Sequence, residues 1–248
     1  MKLLLDVGNT AVKWATAEAA TLIAQGDFIH RDGDIGRLAA RAWSGLARPD
    51  SVVAVNVAGA VMAASIADFA RETWQRPVEF VRTAQSARGV TNAYQVPGDL
   101  GADRWVAMIA AHQQVDGAVC VCDCGTAITL DLVAASGEHR GGLILPGVGL
   151  LGEALAVNTA GIRLEDEVSA TGLLGRGTRD GVIGGARYLV AAAIDRIVAD
   201  IQADAGEAMT VIITGGDAEQ LLPLLATPVQ YVPLLVLQGL AIMSDRES

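Results

Sequence analysis

The sequence is poor in aromatic residues, and this shortage narrows the possible folds. Phe, Trp and Tyr make up only 4% of its 248 residues, so the core has to be built from Ala, Val, Leu and Ile. That composition suits closely packed α/β layers with parallel strands. Hydrophobic residues reach 52% against 19% charged ones, which argues against a disordered chain. The length fits one large domain or two modest ones.

Cysteine is scarcer still. The three cysteines, at positions 120, 122 and 124, alternate along one apolar run, so on a strand they would all face one side. A zinc site needs further ligands, and no second cysteine pair exists, so buried core side chains are the favoured interpretation. An odd number of cysteines without a disulfide framework predicts a cytoplasmic protein, and the N-terminus lacks the pattern of a signal peptide.

The sequence also lacks an excess of positive charge and two common nucleotide motifs. Lys and Arg total 18 against 28 Asp and Glu, a formal net charge of -10. This negative field repels nucleic acid and anionic lipid, so we expect neither a nucleic-acid partner nor a membrane partner. No Gly-x-x-x-x-Gly-Lys-Ser/Thr sequence occurs, which excludes a P-loop. A Gly-x-Gly-x-x-Gly sequence is also missing after the first strand, so a dinucleotide fold lacks support.

One pattern occurs twice, about half a chain length apart. Residues 3–8 and 119–125 each form an apolar run that ends in Asp-x-Gly, followed by a hydroxyl-bearing turn and a return strand. The repeat predicts two related halves with a boundary near Gly117, namely residues 1–116 and 117–248. Apolar periodicity predicts strands at 3–7, 12–15, 22–29, 52–57, 78–81, 118–122, 128–133, 143–145 and 211–213, and helices at 35–47, 61–74, 102–115, 147–156, 181–203, 221–225 and 234–244. It leaves 83–101 and 158–179 as loops, and it places a turn at 141–142.

The repeated hairpins carry groups that suit phosphate binding. In the first, Gly8 permits close approach, Asn9 and Thr10 can donate hydrogen bonds, and Lys13 adds positive charge. Alone, an ordinary Asp-stabilised turn explains the first hairpin equally well. The second copy favours a clamp in which both hairpins hold Mg²⁺-bound phosphates. The small residues of 214–217 would let an adenosine lie against the backbone, or they form a plain helix start.

Another polar group stands at a loop-to-helix junction, in the sequence Gly101-Ala102-Asp103-Arg104. A lone Asp-Arg pair usually caps a helix start. In a kinase, Asp103 would accept the proton of an acceptor hydroxyl, and Arg104 would pair with an acceptor carboxylate or with developing phosphate charge. The glycines of 141–147 allow close approach of a ligand or form two turns. Residues 178–179 could receive an anion at a helix N-terminus or simply cap it.

These motifs, in this order, resemble type III pantothenate kinases of the acetate-kinase, sugar-kinase, Hsp70 and actin superfamily. The resemblance runs along essentially the whole chain. It implies an α/β fold of two related ribonuclease-H-like (actin-type ATPase) halves, each a mixed sheet flanked by helices, with the nucleotide cleft between them. It also implies that a cytoplasmic homodimer phosphorylates the terminal hydroxyl of pantothenate with ATP and Mg²⁺, the first step of coenzyme A biosynthesis.

The resemblance assigns roles to individual residues. Asp103 matches the general base, and Asp123 matches the binding position of a monovalent cation, K⁺ or NH₄⁺. The matching ATP contacts are Asp6, Val7, Gly8, Asn9, Thr10, Ala11, Val12, Lys13 and Thr126. The matching pantothenate contacts are Tyr94, Gly101, Ala102, Asp103, Arg104 and Thr178. One departure is visible, because the family often has Ser-Ser-Val where this chain has Asn-Val-Ala at 56–58.

Two other functions share the fold. Some bacterial members of this family are described as transcriptional accessory proteins, but a net charge of -10 and the lack of a helix-turn-helix pattern argue against direct DNA binding. A sugar kinase or polyphosphate hydrolase is the other possibility. Those chains are usually longer and carry other acceptor motifs, and fold alone does not separate the chemistries.

Overall fold

The computed structural model describes residues 1–30, 33–162 and 174–245. Its contacts divide the chain into two compact units. Unit 1 contains Met1–Asp116, Gly137–His139 and the C-terminal stretch that begins at Leu234. Unit 2 contains Gly117–Ser136 and Arg140–Pro233.

Strands and helices are interspersed along the chain, as expected for a protein of mixed sheets and helices. The strands are β1 Lys2–Val7, β2 Ala11–Glu18, β3 Thr21–Ile29, β4 Ser51–Asn56, β5 Val78–Phe80, β6 Ser86–Ala87, β7 Val90–Thr91, β8 Ala118–Cys124, β9 Ala127–Val133, β10 His139–Pro146, β11 Met209–Thr214 and β12 Gln230–Tyr231. The helices are α1 Ile35–Ala42, α2 Ala60–Trp74, α3 Ala102–Gln114, α4 Val148–Asn158, α5 Thr178–Ala205, α6 Ala218–Leu221 and α7 Leu235–Ser244.

Unit 1 is built on a five-stranded mixed sheet in the order β3-β2-β1-β4-β5. The first three strands are antiparallel neighbours, whereas β4 and β5 run parallel to β1. Apolar residues of β1 and β4 pack against α1 and α2 in one buried cluster. Aromatic rings of Trp43, Phe69 and Trp74 meet there with centroids 5.4 to 5.5 Å apart.

Helix α3 of unit 1 is held by α7, the last helix of the chain. A Cβ atom at Gly239 would lie 2.1 Å from the carbonyl oxygen of Val106, so only glycine lets the two helices approach this closely. The ammonium group of Lys2 in β1 donates to the carbonyl and hydroxyl oxygens of Ser244, at 3.0 and 3.1 Å. These contacts fix α3 against the sheet, and α3 carries the predicted catalytic aspartate.

Unit 2 repeats the topology of unit 1. Its sheet has the order β10-β9-β8-β11-β12, which again places the third, second, first, fourth and fifth strands side by side. Strand β9 is antiparallel to β8, and β11 and β12 run parallel to it. Apolar residues of β8, among them all three cysteines, pack against α4, α5 and α6. The predicted fold class, with two mixed sheets flanked by helices, is therefore confirmed.

Several predicted boundaries differ from the structure. The turn predicted at 141–142 is wrong, because both glycines lie inside β10, where Gly141 adopts φ 107°. Helix α1 ends at Ala42 and not near 47, and α5 begins at Thr178 and not at 181. The predicted loop at 83–101 contains the short β6–β7 hairpin. Of the predicted loop at 158–179, residues 163–173 lie outside the described part of the chain.

Among the residues that the structure describes, no helix combines the length and apolar character needed to cross a membrane.

Candidate active site

The first hairpin of unit 1 presents polar groups at the end of a buried strand pair. Asp6 and Lys13 stand opposite each other in β1 and β2, so both side chains lie on the same face of the sheet. The Gly8 N–H donates to the carbonyl oxygen of Ala11 at 3.1 Å and closes a turn of residues 8–10. Asn9 is exposed, whereas the valines at 7 and 12 are buried and anchor the hairpin. The turn can therefore offer N–H groups and a cation to a phosphate.

The N-terminus of α3 carries a second polar cluster in unit 1. The Arg104 N–H donates to Asp103 Oδ1 at 2.8 Å, which orients the carboxylate at the first turn of the helix. A Cβ atom at Gly101 would lie 2.6 Å from the same oxygen. The lack of a side chain at 101 therefore makes room for the carboxylate. Asp103 is half-buried, so its carboxylate is partly desolvated.

Arg104 connects this cluster to the loop that precedes the helix. Its side chain is 7% exposed, and its Nη1 donates to the Tyr94 hydroxyl at 3.1 Å. The guanidinium carbon also lies 5.8 Å from the centre of the Tyr94 ring. The structure thus brings together Tyr94, Gly101, Asp103 and Arg104 in unit 1.

Two residues that the sequence did not indicate hold Tyr94 in place. The buried Asn92 accepts a hydrogen bond from the Tyr94 N–H at 2.9 Å, and its amide nitrogen donates to backbone carbonyls of the same loop. His139 stacks on the Tyr94 ring with centroids 6.0 Å apart and planes 15° apart. Neither residue belongs to a motif with recognisable spacing, so only the tertiary structure identifies them.

The second hairpin lies in unit 2, between β8 and β9. Asp123 pairs with Thr129 across the strands, and the Gly125 N–H donates to the Ala127 carbonyl at 3.1 Å. Thr126 is exposed at the tip, and Asp123 is half-buried. Both copies of the repeated sequence form a hairpin, but the second is one residue shorter. Three residues separate its last strand pair, Cys124 and Ile128, whereas four separate Val7 and Val12 in the first.

Two glycine-containing loops pack directly on the second hairpin. The Gly147 N–H donates to the Thr126 carbonyl at 3.0 Å, and a Cβ atom at 147 would lie 2.3 Å from the Gly125 carbonyl oxygen. The Asp217 N–H donates to the Cys124 carbonyl at 2.8 Å. Gly215, with φ 98°, leaves no room for a side chain beside Asp123 Oδ1, which a Cβ atom would approach to 2.5 Å. Three sequence motifs of unit 2 therefore meet at one turn.

A relay of side chains supports Asp217. Gln220 Nε2 donates to Asp217 Oδ1 at 2.6 Å, and Arg187 Nε of α5 donates to Gln220 Oε1 at 2.7 Å. Asp217 does not cap the following helix with its side chain. Residues 214–217 thus lead into α6, as the plain helix-start interpretation expects, and they also pack on the second hairpin.

Thr178 occupies a different part of unit 2. It is the first residue of α5 and is exposed. There it lines an apolar groove of about 520 Å³ between α4 and α5, together with Leu151, Leu155 and Leu189. Thr178 is therefore the one predicted pantothenate contact that lies in unit 2.

The cysteines of β8 lie behind the second hairpin and take no part in its polar surface. Burial, and then the charge of Asp131, raise the pKa of Cys120 to about 12. A hydrogen bond with Cys124 and then burial raise the pKa of Cys122 well above its usual value. All three are free and buried, so they serve as core side chains, and the raised pKa values keep the Cys120 and Cys122 thiols protonated.

The donor set also limits how a metal could bind. Within residues 1–30, 33–162 and 174–245, no group of three or more His, Cys, Asp and Glu side chains gathers to hold an ion. A divalent cation that is carried mainly by nucleotide phosphates and water needs no such cage. The residues present therefore fit Mg²⁺ that is carried by the phosphates of ATP.

Comparison with known proteins gives the family. A family profile described as type III pantothenate kinase matches residues 2–200. The chain is 38% identical over 246 residues to the type III pantothenate kinase of Nitrosococcus oceani, covering 97% of this chain and 92% of that protein. It is 40% identical over 251 aligned positions to the type III pantothenate kinase of Aromatoleum aromaticum, covering 100% of this chain and 99% of that protein.

A solved structure supports the fold independently. The ethanolamine utilization protein EutJ from Carboxydothermus hydrogenoformans aligns with a TM-score of 0.58 at 15% identity, covering 97% of this chain and 89% of that one. At this identity the likeness shows the fold alone. The family profile covers most of the chain and both relatives match it nearly end to end, so the chain belongs to the type III pantothenate kinase family.

Proposed function

We propose that this protein transfers the γ-phosphoryl group of ATP to the terminal hydroxyl of pantothenate, forming 4'-phosphopantothenate for coenzyme A biosynthesis. Family membership supports the reaction. The proposed acceptor site is supported mainly by the cluster in which Arg104 donates a hydrogen bond to Tyr94 beside the oriented carboxylate of Asp103. The buried guanidinium suits the carboxylate of pantothenate, and a half-buried aspartate suits proton acceptance.

The proposed chemistry assigns one step to each group. The Asp103 carboxylate accepts the proton of the pantothenate hydroxyl, whose oxygen then forms a bond to the γ-phosphorus. The bond from that phosphorus to the bridging β-phosphate oxygen breaks, and ADP leaves. The turn of residues 8–10 and Lys13 would hold the phosphates, and Thr126 would contact ATP from the second hairpin. Mg²⁺ bound with ATP would neutralise phosphate charge.

We assign Asp123 to a monovalent cation, K⁺ or NH₄⁺. Its half-buried carboxylate and the Cys124 carbonyl oxygen both lie beside Gly215, so a monovalent cation would find oxygen ligands there. Replacing K⁺ and NH₄⁺ with Na⁺ or Li⁺ should depress turnover. An unchanged rate in Na⁺ would exclude this role.

A homodimer is the proposed assembly. Its support is the apolar groove between α4 and α5, with Leu155 44% exposed and Leu189 57% exposed. Placing a charge there with Leu189→Glu should convert the dimer to a monomer in light scattering and raise the KM for pantothenate, because Thr178 lines the same groove. Ala203→Glu is the control, since it lies about 21 Å further along the same helix. A monomeric wild-type protein with full activity would refute the proposal.

The decisive test removes the proposed base. Asp103→Asn should lower kcat about 10²–10⁴-fold, the usual contribution of a general base. Asp99→Asn serves as the matched control, because Asp99 is an exposed residue of the preceding turn. The assay couples ADP release to NADH oxidation, with pantothenate compared against a panel of sugars. Near wild-type turnover in Asp103→Asn, or preference for a sugar, would contradict the assignment.

The cytoplasmic location expected from the sequence stays a prediction. Its support is chemical, since free and closely spaced thiols at positions 122 and 124 suit a reducing compartment.

A further inference from the structure

His30 follows β3 directly and contacts the first hairpin twice. Because Ala11 pairs with Ile29 in the β2–β3 ladder, His30 comes to stand beside Thr10. Its backbone N–H donates to the Thr10 carbonyl at 3.1 Å. Its ring Nε2 lies 2.8 Å from the Gly8 carbonyl oxygen, and the residue is only 9% exposed. Both contacts thus end on the turn that joins Asp6 to Lys13.

The chemistry of the side-chain contact fixes the role of the ring nitrogen. A carbonyl oxygen can only accept, so Nε2 carries the hydrogen and donates it. The acceptor belongs to the peptide group that also contains the Asn9 N–H. A hydrogen bond to a peptide oxygen polarises that group and strengthens its N–H as a donor. The His30 ring therefore both restrains the turn and makes the Asn9 N–H a better partner for a phosphate oxygen.

We propose that His30 is a positioning residue for ATP, which acts by holding and polarising the turn of residues 8–10. This inference rests on the proposed role of the hairpin in phosphate binding. His30 touches no substrate in this scheme. Its effect reaches ATP through the Gly8–Asn9 peptide, so it should change ATP binding without changing pantothenate binding.

A purely structural role makes a different prediction. The backbone bond from His30 to Thr10 survives any change of side chain, so the β2–β3 pairing does not depend on the imidazole. If the ring only filled space, an apolar or amide replacement would change thermal stability and leave the two KM values equally affected. The two roles therefore separate in steady-state kinetics.

The test compares three variants of His30. The side-chain amide of glutamine can place a donor near the position of Nε2, the shorter asparagine cannot, and alanine has no donor. We expect His30→Ala and His30→Asn to raise the KM for ATP about 3- to 10-fold, the effect of losing one hydrogen bond. His30→Gln should restore the KM for ATP to within about twofold, and the KM for pantothenate should stay constant throughout. Melting temperatures of all variants are measured in parallel.

Lys13→Ala separates failure of this inference from failure of the proposed phosphate site. If Lys13→Ala leaves the KM for ATP unchanged, the hairpin does not bind phosphate and both proposals fall. If Lys13→Ala raises it and His30→Ala does not, the site stands and the role of His30 is refuted. If His30→Gln behaves like His30→Ala, with both KM values shifted and a lower melting temperature, the ring is a packing element and the inference is overturned.

Discussion

Substituting Gly101 with alanine should damage catalysis while leaving the fold intact. A Cβ atom at this position would lie 2.6 Å from Asp103 Oδ1, whereas ordinary contacts lie near 3.4 Å or beyond. The carboxylate oxygen must therefore retreat by about 0.8 Å. The displaced atom belongs to a side chain that can rotate, so the backbone of α3 can stay in place. The substitution should therefore mainly disturb the orientation of Asp103, the proposed base.

The expected loss follows from the size of that displacement. A misplacement of about 1 Å at a reacting group costs roughly 10²-fold in rate, so Gly101→Ala should lower kcat by about that factor. The same rotation weakens the hydrogen bond from the Arg104 N–H to Oδ1, but the melting temperature should change by no more than about 3 °C.

The assay is ADP release at saturating ATP and pantothenate, with differential scanning fluorimetry on the same samples. Gly98→Ala is the matched control, because a Cβ atom there would meet nothing within 4 Å. Wild-type kcat in Gly101→Ala would show that the carboxylate position is not critical. Loss of activity together with a collapse of the melting temperature would show that the glycine is needed for folding and not for positioning.

Two further substitutions test how unit 2 is built. Gly147→Ala should raise the KM for ATP and destabilise the protein by about 1–3 kcal/mol, because its Cβ would lie 2.3 Å from the backbone of the second hairpin. Gly149→Ala is the control. Its Cβ would meet nothing within 4 Å, so urea denaturation should show unchanged or higher stability. Asp195→Ala should cost about 1–3 kcal/mol near pH 7, since the carboxylate accepts N–H bonds from 226–227. Partial burial by itself would raise the pKa of Asp195. The hydrogen bonds from residues 226–227 outweigh this effect, so the pKa in the folded protein lies below its ordinary value. Its contribution is present above the unfolded pKa of about 3.9 and is lost as the pH falls through the folded pKa, so the two proteins should converge in strong acid.

The sequence predicts the sheets well because their pattern is local. Alternation and apolar runs mark β1, β4 and β8, and the repeated Asp-x-Gly marks where two of them end. The turn wrongly predicted at 141–142 shows the limit of this reasoning. A glycine pair usually breaks a strand, but β10 continues through it because its pairing with β9 decides the outcome.

The site is predictable only where one segment contains it. Gly101, Asp103 and Arg104 are neighbours in sequence, so the four-residue motif at 101–104 is enough to predict their cluster. Asn92 and His139 support Tyr94 from separate segments, and no spacing rule links them. Likewise, the packing of α7 on α3 depends on Gly239, which lies far from α3 in the sequence and belongs to none of the motifs. Contacts of this kind form only in the folded chain, and no periodic pattern in the sequence indicates them.

The repeated hairpins show most clearly which structural features the similarity of two sequence segments predicts and which it does not. Both copies form a hairpin, but the turns differ by one residue in length and their supports differ in part. Each turn accepts a backbone N–H bond, from His30 to Thr10 in the first and from Gly147 to Thr126 in the second. The first turn also accepts a bond from the side chain of His30 at Gly8. The second is held by backbone N–H groups of Gly147 and Asp217, which need close approach of glycine-containing loops. The side-chain bond at the first turn can be tuned by changing one residue, whereas the backbone bonds can be altered only by moving a backbone. We therefore expect substitutions around the first hairpin to shift ATP affinity gradually, and those around the second to act through stability as well.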